Sequence, residues 1–83
     1  MNTVTFTGAL TIYEAPEAKN TLLAALEQGA AMEIDLTEVS ELDSAGVQVL
    51  VAIKREAMRR GLDLRINHGS TSTEVFSLYQ LGA

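Results

Sequence analysis

Strand-like and helix-like segments alternate along this chain, and that alternation limits the folds open to it. Met32, Ile34 and Leu36 alternate with acidic residues, which is typical of a strand with one buried face. A helical pattern follows over residues 44–60, and a second alternating strand follows over 62–67. Because strands joined by a helix usually pair in parallel, the pattern predicts an α/β fold with a largely parallel sheet.

The segments on either side complete the predicted order. Residues 3–6 alternate as a strand and residues 9–12 predict another, so Gly8 between them marks either a hairpin-like turn or a bulge. A helix with Pro16 in its first turn follows. A capping-box spacing predicts a last helix over 71–81. We therefore expect a mixed, largely parallel sheet of about four strands with three helices, in the order β-β-α-β-α-β-α, beginning with an antiparallel hairpin.

Length and composition exclude several classes of protein. The 83 residues suit one small domain, taken as residues 1–83, and 47% hydrophobic residues supply its core. The absence of cysteine excludes disulfides and cysteine-based metal sites, and a net charge of −5 argues against nucleic-acid binding. No apolar run approaches the roughly 20 residues of a membrane span, and the amino terminus lacks a signal-peptide pattern. We expect a cytoplasmic monomer or weak dimer without membrane insertion.

The sequence contains few residues that could form a catalytic site. His68 is the one histidine, and in the turn predicted after a strand it is ordinarily a solvated loop residue. A triad of Ser44, His68 and Asp43 lacks the glycines of a nucleophile elbow, and its acid directly precedes its nucleophile. Glu38 and Glu41 lie with Asp43 in a predicted acidic loop, but their spacing does not match an EF-hand. We therefore expect no catalytic site, no metal site and no cofactor.

The sequence Asp43-Ser44-Ala45-Gly46 opens the long helix and allows two interpretations. In one, Asp43 or Ser44 caps the helix, a contribution of about 1 kcal/mol. In the other, Ser44 is a site of covalent switching, because a phosphoryl group there would meet free backbone N–H groups and the positive end of the helix dipole. That group would add about −1.5 to −2 charges and repel a docked partner.

The first half of this helix carries more apolar residues than one buried face requires. Either the helix is central and covered on several sides, or it exposes an apolar docking patch beside Ser44. A domain of 83 residues is small for the first arrangement, so we predict the second. The predicted partner-binding surface consists of Asp43, Ala45, Gly46, Val47 and Gln48.

Taken together, these segments resemble the STAS domain, the fold of anti-sigma factor antagonists. The resemblance rests on Ile34-Asp35-Leu36, followed by Leu42-Asp43-Ser44-Ala45-Gly46-Val47 at the start of a long helix. Gly8-Ala9-Leu10-Thr11-Ile12 looks like the family's second strand, and Leu64-Arg65-Ile66-Asn67 looks like part of its closing segment. The resemblance covers essentially the whole chain, and the Asp-Ser-Ala-Gly junction is its specific part.

The resemblance implies a protein-binding function switched at Ser44, the position of the family's phosphoacceptor. A serine kinase that is also an anti-sigma factor would phosphorylate Ser44 and release the domain, and a phosphatase would restore binding. The unphosphorylated domain would sequester its partner and free a sigma factor. A chemotaxis-type signalling protein is another possible partner, because the Asp43–Gly46 junction looks most like that of chemotaxis-linked STAS proteins. The alternative is a constitutive cytoplasmic subunit that docks on the ATPase of a phospholipid-transport ABC system.

This chain departs from the family pattern at two positions near the second strand. The family often has Asp where Thr11 stands, and Ser or Thr where Glu14 stands. These differences put partner contacts near that strand in question. The chain also ends at Ala83, so a terminal element found in many relatives is expected to be short or missing.

Overall fold

The computed structural model describes residues 2–68, which form a sheet with two helices packed on one of its faces. The elements are strand β1 (Asn2–Leu10), helix α1 (Ala15–Leu26), strand β2 (Met32–Leu42), helix α2 (Ser44–Arg59) and strand β3 (Leu64–Asn67). The described strands lie in the order β1-β2-β3, and both pairings are parallel. The predicted α/β class with a parallel sheet is confirmed.

The predicted hairpin at the start of the chain is wrong. A single strand, β1, runs to Leu10 and pairs in parallel with β2. Gly8 has a positive φ of 75°, so it bends the strand without ending it. The described residues therefore hold three strands and two helices in the order β-α-β-α-β, where four strands and three helices were expected. The helix predicted over 71–81 lies outside the described residues.

Strand β2 is longer than predicted because it contains two bulges. The nine residues of β1 pair with eleven of β2, and the register shifts opposite Thr5–Thr7 and opposite Gly8–Ala9. Each shift adds one residue to β2, so Leu36, Val39 and Leu42 turn toward the core at intervals of three residues. The acidic loop predicted to contain Glu38, Glu41 and Asp43 is therefore wrong as far as Leu42, because β2 continues to that residue. The alternation that identifies a strand is interrupted there, although the strand continues.

The core lies between the sheet and the two helices. On β2, Met32, Ile34 and Leu36 are buried while the intervening Glu33 and Asp35 are half-buried. The opposite face of the described sheet is polar and exposed, with Thr3 and Thr5 on β1 and Arg65 and Asn67 on β3. The largest fully buried side chains are Leu10, Leu22, Leu26, Met32, Ile34, Leu50 and Ile53. Both helices therefore direct their apolar stripes at one face of the sheet.

The bounds of α2 agree closely with the sequence pattern. Helix α2 begins at Ser44 and ends at Arg59, one residue before the predicted end. Near its carboxyl end, Glu56 forms ion pairs with Arg59 and Arg60, the latter at 2.7 Å. Hydrogen bonds from Arg59 and then Arg60 lower the pKa of Glu56 to about 2. Within residues 2–68, neither helix combines the length and apolar character needed to cross a membrane.

Candidate functional site

Asp43 joins the start of α2 to the loop between β1 and α1. Its backbone is extended, with φ −109° and ψ −177°, as expected for a residue that caps a helix. Its Oδ1 accepts a hydrogen bond from the N–H of Gly46 at 3.0 Å, and its Oδ2 accepts one from the N–H of Ile12 at 3.0 Å. The Gly46 bond, followed by the Ile12 bond, lowers the pKa of the Asp43 carboxyl. The side chain is therefore an ionised clamp at neutral pH.

Gly46 allows α2 to pack directly against the end of β1. A Cβ atom at this position would lie 2.2 Å from the carbonyl oxygen of Leu10 and 2.8 Å from Cδ1 of Leu42. Both distances are much shorter than a van der Waals contact. The closer atom belongs to the backbone, which cannot move away by a change of rotamer. The small residue at this place therefore serves a contact within the molecule.

The loop over residues 11–14 is closed by a reciprocal set of hydrogen bonds. The Oε1 atom of Glu14 accepts from the N–H of Thr11 at 2.9 Å and from its Oγ1 at 2.7 Å. The N–H of Glu14 in turn donates to the carbonyl of Thr11 at 3.0 Å. The bond from the Thr11 hydroxyl is the main cause of the lowered pKa of Glu14. This arrangement resembles a capping box placed one turn before α1, and it fixes the segment that carries Ile12.

Ser44 is the first residue of α2, and it is exposed. The residue before it, Asp43, is held by two hydrogen bonds, and Gly46, two residues after it, is packed against Leu10. The hydroxyl thus lies at the positive end of the helix dipole on a firmly held turn. Such a hydroxyl is accessible to a modifying enzyme or to a docked protein.

Among residues 2–68, no group of three or more His, Cys, Asp or Glu side chains is placed to hold a metal ion.

A family model matches almost the whole chain. Its description is "Mlab, STAS domain", and it covers residues 2–82. The chain belongs to the STAS domain family. The resemblance noted in the sequence is thereby confirmed.

Two curated relatives of this STAS domain are named anti-sigma-B factor antagonists. The Bacillus subtilis (strain 168) protein is 32% identical over 65 residues, which are 78% of this chain and 60% of that protein. The Listeria monocytogenes serovar 1/2a protein is 32% identical over 75 residues, which are 89% of this chain and 64% of that protein. The STAS domain therefore spans less than two thirds of either relative's length.

A solved structure confirms the fold of this STAS domain. The structure of the anti-sigma factor antagonist SpoIIAA in its unphosphorylated form superposes with a TM-score of 0.75 at 18% sequence identity. The match covers 96% of this chain and 73% of that chain. At this level of identity the likeness shows a shared α/β fold.

The structure separates the predicted partner-binding residues into two groups. Gln48 is exposed, and Asp43 and Ala45 are half-buried. Gly46 is buried and Val47 is only 2% exposed, so their side-chain positions belong to the core. The apolar side chains in the first half of α2 are therefore mostly buried against α1 and the sheet, and they do not form the predicted exposed patch beside Ser44. Contact between a partner and the other three residues stays a prediction.

Two apolar side chains beside Asp43 were missed in the sequence. Ile12 is 62% exposed and Tyr13 is 88% exposed, and both lie in the loop held by Thr11 and Glu14. Residues 9–12 were predicted to be a strand, which concealed the loop. The available signal was the Thr-x-x-Glu spacing from Thr11 to Glu14, which matches a capping box and would have placed Ile12 and Tyr13 at a helix entry.

The two positions at which this chain is expected to depart from the family pattern contact each other. The hydroxyl of Thr11 donates a hydrogen bond to the carboxylate of Glu14 at 2.7 Å. Both side chains therefore help to close the loop.

Proposed function

We propose that this STAS domain is a non-enzymatic protein-binding module of the anti-sigma factor antagonist type, switched by phosphorylation of Ser44. The observation that carries the proposal is the exposed hydroxyl of Ser44 on a turn fixed by both oxygens of Asp43. The names of the two relatives support the antagonist role. The partner is an anti-sigma factor that is also a serine kinase, or a signalling protein of the chemotaxis type. This role places the domain in the cytoplasm.

The binding surface has an apolar part and a switchable part. Ile12 and Tyr13 supply exposed apolar area. The N–H of Ile12 donates a hydrogen bond to the carboxylate of Asp43, the residue before Ser44. Ile12 and Tyr13 are adjacent, and contiguous exposed apolar side chains mark binding sites more than single ones do; tyrosine is also frequent among residues that dominate binding energy. Gln48, one helical turn beyond Ser44, extends the surface along α2.

Phosphorylation would change the charge of this surface more than its shape. A phosphoryl group at Ser44 would add about −1.5 to −2 charges directly beside the ionised Asp43. The positive end of α2 and its backbone N–H groups favour an anion at that place, so the fold tolerates the group. A partner whose contact face is apolar or acidic would be expelled. The domain would then bind only in its unmodified form.

The proposal is tested with purified protein, ATP and the anti-sigma-type serine kinases encoded in the same genome. Mass spectrometry should place one phosphate on Ser44, and Ser44→Ala should abolish it. Ser40→Ala is the matched control, because Ser40 is also exposed, four residues away on β2. In a titration with the same kinase, Ser44→Asp should weaken binding at least about tenfold, equivalent to about 1.4 kcal/mol. Absence of phosphate on Ser44 with every such kinase would refute the switch.

The description of the family model supports a second candidate of another class, because it names Mlab. In that case the domain is a constitutive subunit that docks on the ATPase of a phospholipid-transport ABC system. The two candidates differ in their dependence on a kinase. A stable complex with a purified ABC ATPase from the same genome, unaffected by kinase and ATP, would favour the transport subunit.

A further inference from the structure

The outer edge of β1 is unpaired among the described residues. The strand spans nine residues at one end of the order β1-β2-β3. The N–H of Asn2 donates to the carbonyl of Ala31, just before β2, at 2.9 Å. Peptide groups alternate in direction along a parallel strand, so those of Thr3 and Thr5 point away from β2. Such an edge is a template on which another extended chain can pair.

A groove lies along this edge, between β1 and α1. Its volume is about 300 Å³, and we call it the β1 groove. The residues that define it here are Thr5 and Phe6 on β1 and Glu14, Glu17, Ala18 and Thr21 near and along α1. The floor is therefore the strand edge with one half-buried aromatic ring, and the wall is a helix face. A strand added to β1 would find room on its α1 side for alternate side chains.

The charge of the β1 groove indicates what would occupy it. Glu14 and Glu17 are the charged residues among those that line it, and both are acidic. A second copy of this chain would bring the same carboxylates and a net charge of −5 against this acidic wall. Like charges at a contact disfavour it, whereas lysine or arginine would be attracted. Charge complementarity therefore favours a basic occupant.

We propose that the β1 groove binds an extended basic segment of a partner protein, which adds a strand to the outer edge of β1. Side chains two residues apart in a strand lie on the same side, about 7 Å apart. Glu14 at the N-cap of α1 and Glu17 in its first turn both line the groove, so basic side chains on that side of the added strand would meet two carboxylates. This site is separate from Ser44: its main-chain contacts are with Thr3 and Thr5, and it needs no phosphorylation.

The test uses an acetylated and amidated heptapeptide of alternating lysine and valine, added to the isotope-labelled 83-residue chain. Amide signals of Thr3 and Thr5 should shift on titration. Thr5→Pro removes one outward N–H without breaking the β1–β2 pairing, and it should weaken binding about tenfold. Thr5→Ala is the matched control, which keeps the N–H and should bind within about twofold.

The charge component is tested with Glu17→Lys, a change of an exposed residue. It should weaken the lysine peptide several-fold and strengthen a peptide with glutamate in place of lysine. Equal binding of both peptides to the unmodified chain, or shifts confined to α2, would overturn the proposal. Self-association that Thr5→Pro abolishes, in a chain that does not bind the lysine peptide, would also overturn it, because the occupant would then be a second copy.

Discussion

The carboxylate of Asp43 accepts a hydrogen bond at 3.0 Å from the backbone N–H of Ile12, 31 positions earlier in the chain. The same carboxylate caps α2 through the N–H of Gly46. One side chain thus fixes both the turn that carries Ser44 and the loop that exposes Ile12 and Tyr13. The apolar and switchable parts of the proposed surface are therefore linked through a single residue.

Replacement of Asp43 should separate these two roles. Asp43→Asn keeps one acceptor oxygen and so retains one of the two bonds, whereas Asp43→Ala loses both. We expect Asp43→Ala to lower the melting temperature by roughly 5 °C, the effect of losing a helix cap in a domain of this size, and Asp43→Asn by less. Circular dichroism measures both values.

Amide hydrogen exchange at Ile12 and Gly46 then shows which bond the asparagine keeps. The amide that loses its acceptor should exchange faster, and the other should remain protected. Asp35→Asn is the control: Asp35 accepts from the N–H and the hydroxyl of Thr37 on β2, away from the α2 start. Unchanged exchange at both amides in Asp43→Ala would contradict the role given to this carboxylate.

Gly46→Ala should be strongly destabilising, although alanine is the better helix former. Its methyl group would meet the carbonyl oxygen of Leu10 at 2.2 Å, so helix or strand must move. We expect a loss of at least about 2 kcal/mol in the free energy of unfolding, measured by urea denaturation. Gln48→Ala, an exposed substitution two residues later in α2, should remain within about 0.5 kcal/mol of wild type. Similar midpoints for the two variants would rule out the close contact.

The stability of the domain should decrease in acid, in part through Glu56. Its pKa is lowered to about 2 by hydrogen bonds from Arg59 and then Arg60. The stabilisation from these ion pairs is therefore fully present above the ordinary pKa of about 4.5 and is lost as the pH falls toward 2. In thermal unfolding between pH 7 and pH 2, the difference between wild type and Glu56→Gln should be greatest at pH 7 and should shrink below pH 4.5.

Gln48→Ala, an exposed substitution elsewhere on α2 that changes no charge, supplies the control for this titration. It should give a melting-temperature profile parallel to that of wild type. Because the pairs of Glu56 with Arg59 and Arg60 are near the surface, added salt should reduce the effect of Glu56→Gln. A difference between wild type and Glu56→Gln that stays constant down to pH 2 would show that the ion pairs do not contribute as described.

Tyr13→Ser should separate binding from folding. The side chain is 88% exposed, so the free energy of unfolding should change by no more than about 0.5 kcal/mol. Under the proposed function, the ring is buried in the interface, so binding to a serine kinase found to phosphorylate Ser44 should weaken about tenfold or more. Met58→Ser is the matched control, because Met58 is 70% exposed at the far end of α2. Equal effects of Tyr13→Ser and Met58→Ser on affinity would show that Tyr13 is not part of the binding surface.

The sequence predicts the bounds of α2 well because these depend on local chemistry. The polar cap at Asp43, the apolar periodicity of α2 and Gly61 after its end are all visible within one segment. The candidate position of Ser44 at a helix start follows from the same local pattern. The hydrogen bond from Ile12 to Asp43 does not, because it depends on how β1 and β2 are paired.

The bulges of β2 explain why its end was predicted too early. The two extra residues lie opposite Thr5–Thr7 and Gly8–Ala9, so they exist only relative to β1. In the sequence of β2 alone, the alternation of apolar and polar residues stops after Leu36, which falsely indicates that the strand ends there. The burial of Val47 was misjudged for a related reason: the covering of α2 depends on its packing against α1, β2 and β3.

The contact of Gly46 with the Leu10 carbonyl has a consequence for recognition. The turn that bears Ser44 is held against the end of a strand far away in the sequence, so its shape exists only when both segments are folded together. An enzyme that recognises this turn together with Ile12 and Tyr13 of the neighbouring loop binds an epitope formed only by the folded chain. A synthetic peptide containing only the residues around Ser44 would lack half of that epitope and should be a poor substitute for the folded domain.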